Sequence, residues 1–184
     1  MRVITGIARG RKLFTLPGTD TVRPTSEKVK EAIFSAIQFD IEGRRVLDLF
    51  AGSGQLGIEA LSRGADSAVF VDMSPASLEV VNKNLTATGL ASSAEVIRSD
   101  YSTFLARTKK TFDIAFLDPP YKSGILLDAL EKVTALLSDY AVVFCEHPSD
   151  NNLPDVVCGF KTSRVYRFGS IAVTMYKKEV PDNE

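Results

Sequence analysis

The sequence is short of the residues that build disulfide frameworks and metal sites. It contains two cysteines, one histidine and no tryptophan. Cys145 and Cys158 are too few for a disulfide framework, so we expect free thiols, and with a single histidine they do not make a metal site. The longest apolar runs, such as residues 140–145, are far too short to cross a bilayer. Residues 1–16 alternate basic with apolar residues and lack the apolar centre of a signal peptide. We therefore expect a cytoplasmic protein with no membrane partner and no metal.

What the chain does have is the composition of an ordinary globular domain. It is 184 residues long, with 45% hydrophobic and 24% charged residues. These values exclude a disordered or collagen-like chain. A protein of this size buries roughly two-thirds of its unfolded surface, which is enough for one compact core. We find no repeats and no linker, and we expect a monomer.

Charge divides the chain into a basic start and an acidic remainder. Residues 1–30 carry seven basic side chains against two acidic ones, a net charge of +5, and since the whole chain is −1, residues 31–184 carry −6. The basic residues are Arg2, Arg9, Arg11, Lys12, Arg23, Lys28 and Lys30. Such a cluster is either a solvated surface or a site for phosphate, which gains affinity as counterions are released. The charges alone leave both interpretations open.

The pattern of apolar residues predicts strands alternating with helices. Residues 1–16 alternate as a small basic hairpin, and Pro24-Thr25-Ser26 predicts a helix start. Strands are predicted at 46–50, 68–71, 95–98, 112–117 and 141–145, and helices at 55–63, 75–88, 101–108 and 125–137. Two last runs, 161–168 and 171–177, predict an antiparallel hairpin at the sheet edge. We infer an α/β class: a Rossmann-like, doubly wound, mostly parallel sheet with a C-terminal antiparallel hairpin, preceded by a small N-terminal β-hairpin. The predicted division is a basic arm, residues 1–22, and a single compact domain, residues 23–184.

The turn after the first predicted strand has the composition of a nucleotide site. Gly52, Gly54 and Gly57 permit a sharp turn with close approach of a ligand to backbone N–H groups. Asp72, twenty residues after Gly52, can accept hydrogen bonds from two ribose hydroxyls. Both a dinucleotide and S-adenosylmethionine carry such a ribose. Asp48, just before the turn, would repel a pyrophosphate but suits the ammonium group of a methionine moiety, which favours S-adenosylmethionine.

Further candidates for cofactor binding follow the same strands. Asp100 comes after the third strand and is placed to accept from an adenine amino group, with Tyr101 beside it, although an aspartate there can equally cap the next helix. Ala51 in the glycine turn and Met73 after the second strand complete this set. We interpret His147 as a loop residue rather than a base.

The fourth predicted strand ends in Asp118-Pro119-Pro120-Tyr121, our candidate catalytic residues. A residue before proline is held extended, so the Asp118 carboxylate and the Pro119 carbonyl become two fixed acceptors. The lone pair of an exocyclic amine on a nucleobase is delocalised into the ring, so the amine must be pyramidalised before it attacks a methyl group. Two acceptors that hold its two N–H groups do this. Tyr121 offers a face for the base to stack on.

These motifs together resemble those of S-adenosylmethionine-dependent amino-methyltransferases, and more narrowly the RsmD family. The segments that carry the resemblance are Gly6-x-x-Arg9-Gly10-Arg11-Lys12-Leu13, Arg23-Pro24-Thr25 and Phe50-Ala51-Gly52-Ser53-Gly54-x-Leu56-Gly57-x-Glu59-Ala60. The similarity runs from residue 1 to about residue 177. It implies a seven-stranded methyltransferase sheet in residues 23–184 and methylation of a guanine N2 amine in 16S ribosomal RNA. The implied partner is the small ribosomal subunit or an assembly intermediate.

The resemblance also implies roles for individual residues. Thr25 and its helix would lie over the methionine end of the cofactor, and Tyr121 stands where other members can carry phenylalanine. With this family in view, the basic arm is interpreted as the RNA contact. Its candidate phosphate-binding residues are Arg9, Arg11, Lys12 and Arg23.

Three other functions compete with this one. An N6-adenine methyltransferase on DNA or RNA is the nearest, because Asp-Pro-Pro-Tyr suits either amine and the motifs do not show which base is used. A non-catalytic RNA-binding assembly factor would keep the cofactor pocket without the chemistry. A nicotinamide-dependent oxidoreductase would share the glycine turn, but the sequence lacks a Tyr-x-x-x-Lys pair.

Overall fold

The fold is an eight-stranded mixed sheet with helices on both faces. We describe it from a computed structural model that covers residues 1–16, 25–120 and 124–178, without the side chains of Thr25 and Ser26. The helices are α1 (Thr25–Ala36), α2 (Gln55–Ser62), α3 (Pro75–Thr88), α4 (Tyr101–Arg107) and α5 (Leu126–Thr134), with a short 3-10 helix at Ala91–Ser93. The strands are β1 (Arg45–Asp48), β2 (Ser67–Asp72), β3 (Ala94–Arg98), β4 (Phe112–Leu117), β5 (Leu137–Pro148), β6 (Val156–Val157), β7 (Phe160–Phe168) and β8 (Ile171–Lys178).

The strand order confirms the predicted doubly wound sheet. It is β3-β2-β1-β4-β5-β8-β7-β6, with β1 to β5 parallel and β6 to β8 antiparallel. The chain moves outward from β1 to β3 on one side and then crosses to β4 on the other. The switch point between β1 and β4 is where sheets of this type bind ligands.

The core occupies both faces of the sheet because successive strand side chains point to opposite sides. In β1, Val46 packs in the cluster that includes residues of α1, α2 and α3, whereas Leu47 packs in the cluster that includes residues of α4 and α5. In β4, Phe116 belongs to the first cluster and Ala115 to the second. Burial of both faces explains why apolar residues stand next to each other in these strands instead of alternating with polar ones.

The bounds of α3 show how local sequence sets an element. Ser74 caps the helix, its side chain accepting from Ser77 N at 3.3 Å, and Pro75 fills the first turn. Gly89 ends the helix with φ 73°, a left-handed conformation that glycine adopts without strain. The predicted helix at 75–88 agrees with these bounds.

Three features differ from the sequence-based expectation. β5 extends beyond the predicted 141–145 at both ends, because Glu146 to Pro148 pair with β8 and Leu137 pairs with Phe112 of β4. The two-residue β6 was not predicted and makes the sheet eight-stranded rather than seven-stranded. The N-terminal hairpin forms, but its strand pairing is a single bridge between Arg2 and Lys12.

His147 was placed wrongly by the sequence analysis. It lies in β5 and is buried, with Nε2 2.8 Å from Thr174 Oγ1 and Nδ1 2.9 Å from the Pro148 carbonyl. Nδ1 donates to the carbonyl, since a carbonyl oxygen can only accept, and Nε2 forms the second hydrogen bond with the threonine hydroxyl. It is a satisfied core histidine, and its neighbour Pro148 did not signal a loop because proline is tolerated at a strand end.

The first residues of the arm pack onto the domain. Val3, Ala8 and Leu13 are buried in the same cluster as the α1 and α2 side chains. Ser62 of α2 holds the Gly6 turn: its hydroxyl accepts from Ala8 N and its carbonyl accepts from Ile7 N.

Glu59 of α2 is the centre of a buried ionic network under the arm. Its carboxylate accepts from Ile4 N at 2.8 Å and from Thr5 N at 3.0 Å. It also pairs with Lys30 Nζ at 3.2 Å and with Arg63 Nε at 2.9 Å. Burial lowers the pKa of Lys30, and the Glu59 carboxylate opposes that shift. The network therefore joins the arm, α1 and α2 through one charge.

None of the helices within the described ranges is long and apolar enough to span a bilayer.

Glu59→Gln should destabilise the fold strongly, because it leaves the buried Lys30 ammonium without its counter-charge. We expect the free energy of unfolding to fall by about 3–5 kcal/mol, measured by urea denaturation. The matched control is Glu95→Gln, which breaks an exposed pair with Lys110 and should cost less than about 1 kcal/mol. Equal effects of the two substitutions would contradict the role given to Glu59.

Candidate active site

Four aspartates predicted as site residues come together at one edge of the sheet. Asp48 and Asp72 end β1 and β2, while Asp100 and Asp118 follow β3 and β4. These four strands are adjacent and parallel, so their carboxyl ends face the same way. The carboxyl ends of these strands therefore bring four carboxylate groups, all hydrogen-bond acceptors, together around the switch point.

The glycine turn between β1 and α2 leaves room for a ligand. Gly52 has φ 55°, and a Cβ placed on it would meet no atom within 4 Å. Gly54 has φ 76° and caps α2. Ala51 N donates to the Val71 carbonyl at 3.0 Å, which ties the turn to β2. Open space above a left-handed glycine is what a closely approaching ligand needs.

Gly57, by contrast, serves packing. A Cβ on Gly57 would lie 2.3 Å from Cε1 of Phe70 in β2. The missing side chain lets α2 approach the sheet. The three fingerprint glycines thus divide into two that shape the turn and one that sets the distance between helix and sheet.

Asp48 is a buried carboxylate beneath the turn. It is 3% exposed, and its Oδ2 accepts from Gly57 N at 3.0 Å. Burial raises the pKa of Asp48 to about 7, and Asp72 adds to the rise while the Gly57 N–H opposes it. A cation entering here would stabilise the ionised form.

Asp72 holds two backbone groups. Its Oδ2 accepts from Gly52 N at 2.9 Å and its Oδ1 from Ser74 N at 2.8 Å. Each carboxylate oxygen retains acceptor capacity, so the group that shapes the turn can also accept from a hydroxyl. Met73, between these contacts, is 67% exposed at the same edge.

Asp100 acts as the cap of α4, as one of the two interpretations predicted. Its Oδ1 accepts from Thr103 N at 2.9 Å, and hydrogen bonds from the Thr103 side chain and backbone keep the pKa of Asp100 below its usual range. The ring of Tyr101 packs 5.6 Å from that of Phe50, and its hydroxyl donates to Asp128 Oδ2 at 2.7 Å. The pair of rings builds an apolar wall beside the turn after β1.

The Asp-Pro-Pro segment follows β4 directly beside β1. Asp48 is in register with Phe116, so Asp118 lies two residues beyond that pairing. Asp118 is half-buried, Pro119 is buried and Pro120 is exposed. A cleft of about 260 Å³ borders both prolines and is also lined by residues of α5, β5 and the segment 151–154. The segment thus has a concave surface beside it.

Three of the predicted site residues lie wholly or partly outside the part of the chain that the structure describes. Tyr121 and Arg23 lie outside the described residues, and Thr25 begins α1 without a described side chain.

The three predicted phosphate-binding residues that the structure describes are all exposed. Arg9, Arg11 and Lys12 lie on the turn and the returning segment. Within residues 1–16, 25–120 and 124–178 none of the three makes an ion pair. Their charge faces solvent.

Two buried polar residues near the site were assigned no role from the sequence. Glu59 and Asn84 are both fully buried, on α2 and α3. The available signal was their position: Asn84 stands three residues after the core residue Val81 and beside Leu85, on the apolar side of its helix. A polar side chain in such a place must find partners.

Several known proteins are similar to this chain in sequence and in fold. A family described as "Conserved hypothetical protein 95" matches residues 1–177. Ribosomal RNA small subunit methyltransferase D of Escherichia coli is 36% identical over 97% of this chain and 90% of its own length. The solved structure of the E. coli protein yhhF has a TM-score of 0.86 and 37% identity, covering 97% of this chain and 98% of that one.

A more distant structure contains ligands. The 16S rRNA N2 G1207 methyltransferase of Thermus thermophilus, in complex with AdoMet and guanosine, has a TM-score of 0.71 and 26% identity. It covers 89% of this chain and 45% of that one. From the match over residues 1–177 and the identity to the E. coli enzyme, the chain belongs to the family of ribosomal RNA small subunit methyltransferase D, the RsmD family that its motifs resemble.

Proposed function

We propose that this protein transfers a methyl group from S-adenosylmethionine to the N2 amine of a guanine in 16S ribosomal RNA, within the small subunit or its assembly intermediate, in the cytoplasm. The observation that carries the proposal is the position of Asp118-Pro119-Pro120 at the end of β4, beside the glycine turn and Asp48 at the end of β1. Acceptors for an amine and a cradle for a cofactor then share one edge. The guanine N2 specificity is also supported by the Thermus relative's name.

The residues at the switch point fit the proposed cofactor. Open space at Gly52 admits a ligand close to the backbone, Asp72 has acceptor capacity for ribose hydroxyls, and Asp48 offers negative charge to an ammonium group. Asp100 and the Tyr101 ring would hold the adenine. When bound, S-adenosylmethionine would supply an electrophilic methyl group on a sulfonium, whose C–S bond would break as the N–C bond forms, with S-adenosylhomocysteine as the leaving group.

The chain's own part in the reaction is to orient the amine. The Asp118 carboxylate and the Pro119 carbonyl accept the two N–H groups of guanine N2, which frees its lone pair for direct in-line attack without a covalent enzyme intermediate. Asp118 then stabilises the positive charge that develops on the nitrogen, and the proton leaves afterwards. Tyr121 stacks on the base. Because a paired base is inaccessible, the target is a loop or flipped nucleotide.

Asp118→Ala should abolish most turnover while leaving cofactor binding intact. The substitution removes one of the two amine acceptors, so kcat for methyl transfer to small subunits should fall by about 100-fold or more. The Kd of S-adenosylmethionine should stay within about twofold. Asp66→Ala, an exposed carboxylate at the opposite edge of the sheet, is the control and should change neither value. Lost binding with retained turnover would overturn the role of Asp118.

Replacing Arg9 and Arg11 with glutamine should weaken RNA binding and reduce its salt dependence. Each lost phosphate contact should lower the slope of log K against log salt by about 0.7 for single-stranded RNA. Lys109→Gln, an exposed cation near the amino end of β4, should leave the slope unchanged. Filter binding across a salt series gives the answer, and an unchanged slope in the double variant would count against the arm as the RNA contact.

Cofactor affinity should fall as pH drops below 7, because the Asp48 carboxyl with its pKa of about 7 must lose a proton to receive the ammonium group. Between pH 7 and pH 5.5 the Kd should rise by about 16-fold, following the ionised fraction of the Asp48 carboxyl. Calorimetric titration with S-adenosylmethionine measures it. Asp48→Asn should bind more weakly and lose this pH dependence; a variant with the same pH profile as the native protein would show that another group titrates.

A further inference from the structure

Asn84 is a buried side chain that methyl transfer itself does not use. It lies on α3 and is fully buried. Its Oδ1 accepts from Phe14 N at 2.7 Å, and its Nδ2 donates to the Phe14 carbonyl at 3.0 Å and to the Ser53 carbonyl at 2.9 Å. Both amide hydrogens and the oxygen are engaged. A buried amide in this state is fixed in orientation, since any rotation leaves polar groups unpaired.

The two segments that Asn84 joins belong to different parts of the proposed site. Phe14 lies in the arm, where the side chain of Asn84 pairs with its backbone as a neighbouring strand would. Ser53 lies in the glycine turn, between Gly52 and Gly54. Both glycines adopt positive φ, and residues without side chains impose little restraint on a turn. The bond from Asn84 therefore fixes the carbonyl at the centre of the turn from outside.

The other polar attachments of the arm do not reach this turn. Ser62 and Glu59 bind backbone groups of residues 4–8 and sit on α2, at and beyond its centre. Asn84, by contrast, forms side-chain hydrogen bonds both to Phe14 of the arm and to Ser53 of the glycine turn. One buried amide therefore links the backbone of Phe14 to the carbonyl of Ser53.

We propose that Asn84 is a positioning residue that couples the arm to the glycine turn, so that RNA held by the arm and cofactor held by the turn each strengthen the binding of the other. The inference rests on the proposed function, because it takes RNA as the ligand of the arm. Reciprocity is required by linkage: if RNA tightens the turn around cofactor, cofactor tightens the arm on RNA by the same factor.

The test measures this coupling directly. S-adenosylhomocysteine, which permits no turnover, is titrated by equilibrium dialysis with and without small subunits isolated from cells lacking this protein. For the native protein we expect RNA to lower the Kd of S-adenosylhomocysteine by about fivefold or more. Asn84→Asp, which keeps the acceptor and loses both donors, should reduce that factor to near one. Ser62→Ala cuts a buried attachment of the arm without touching the turn, and should retain the factor.

Each result has one meaning. No binding of the native protein to subunits would overturn the proposed function and, with it, this inference. Binding and methylation by the native protein with a coupling factor of one, or equal loss of coupling in both variants, would overturn the inference alone. If Asn84→Asp does not fold, hydrogen exchange of the native protein decides: RNA should slow exchange at the amides of Gly52 and Gly54, and unchanged rates would reject the coupling.

Discussion

The parallel pairing of β1 with β2 on one side and β4 on the other is the constraint on which the site depends. It aligns Asp48 with Phe70 and with Phe116 in the neighbouring strands. A shift of either register by one residue would move each side chain into the core cluster on the opposite face and carry the loops away from each other. Because both faces of these strands are buried, the register is strongly specified. As a result, the glycine turn after β1 lies beside the Asp-Pro-Pro segment after β4.

Much of the fold was predictable because local signals and tertiary demands agree. The mostly apolar strand β4 and the capped helix α3 match their predicted bounds. The length of β5 was underestimated because Ser138, Asp139, Glu146 and His147 interrupt its apolar pattern, and its ends are set by pairing with β4 and β8, which no local pattern reports. β6 has two residues and no periodicity to detect. The prediction of His147 in a loop was wrong for the same reason: its strand conformation comes from pairing with Ala172 of β8.

The candidate site was predictable in its acceptors but not in their connections. Asp48, Asp72 and Asp118 follow from residue type and from their places after strands. That Gly57 serves packing against Phe70 depends on a contact between elements 13 residues apart, which the glycine spacing alone does not reveal. Likewise, the hydrogen bonds from Glu59 and Asn84 to the arm join residues that are 54 to 70 positions apart. From the sequence alone, the two residues are only polar side chains on the apolar sides of their helices. The arm was predicted from its charge, whereas the packing of Val3, Ala8 and Leu13 against α1 and α2 depends on contacts that the charge pattern does not report.

The central claim is that this site methylates the N2 amine of guanine in 16S ribosomal RNA, and the nature of the product tests it most directly. Labelled methyl groups are transferred from S-adenosylmethionine to small subunits from cells lacking this protein, and the RNA is digested to nucleosides for mass spectrometry. The account predicts label in N2-methylguanosine. Label in N6-methyladenosine would keep the fold and the amine geometry but contradict the substrate, and no transfer by a protein that binds the cofactor would contradict the enzyme itself.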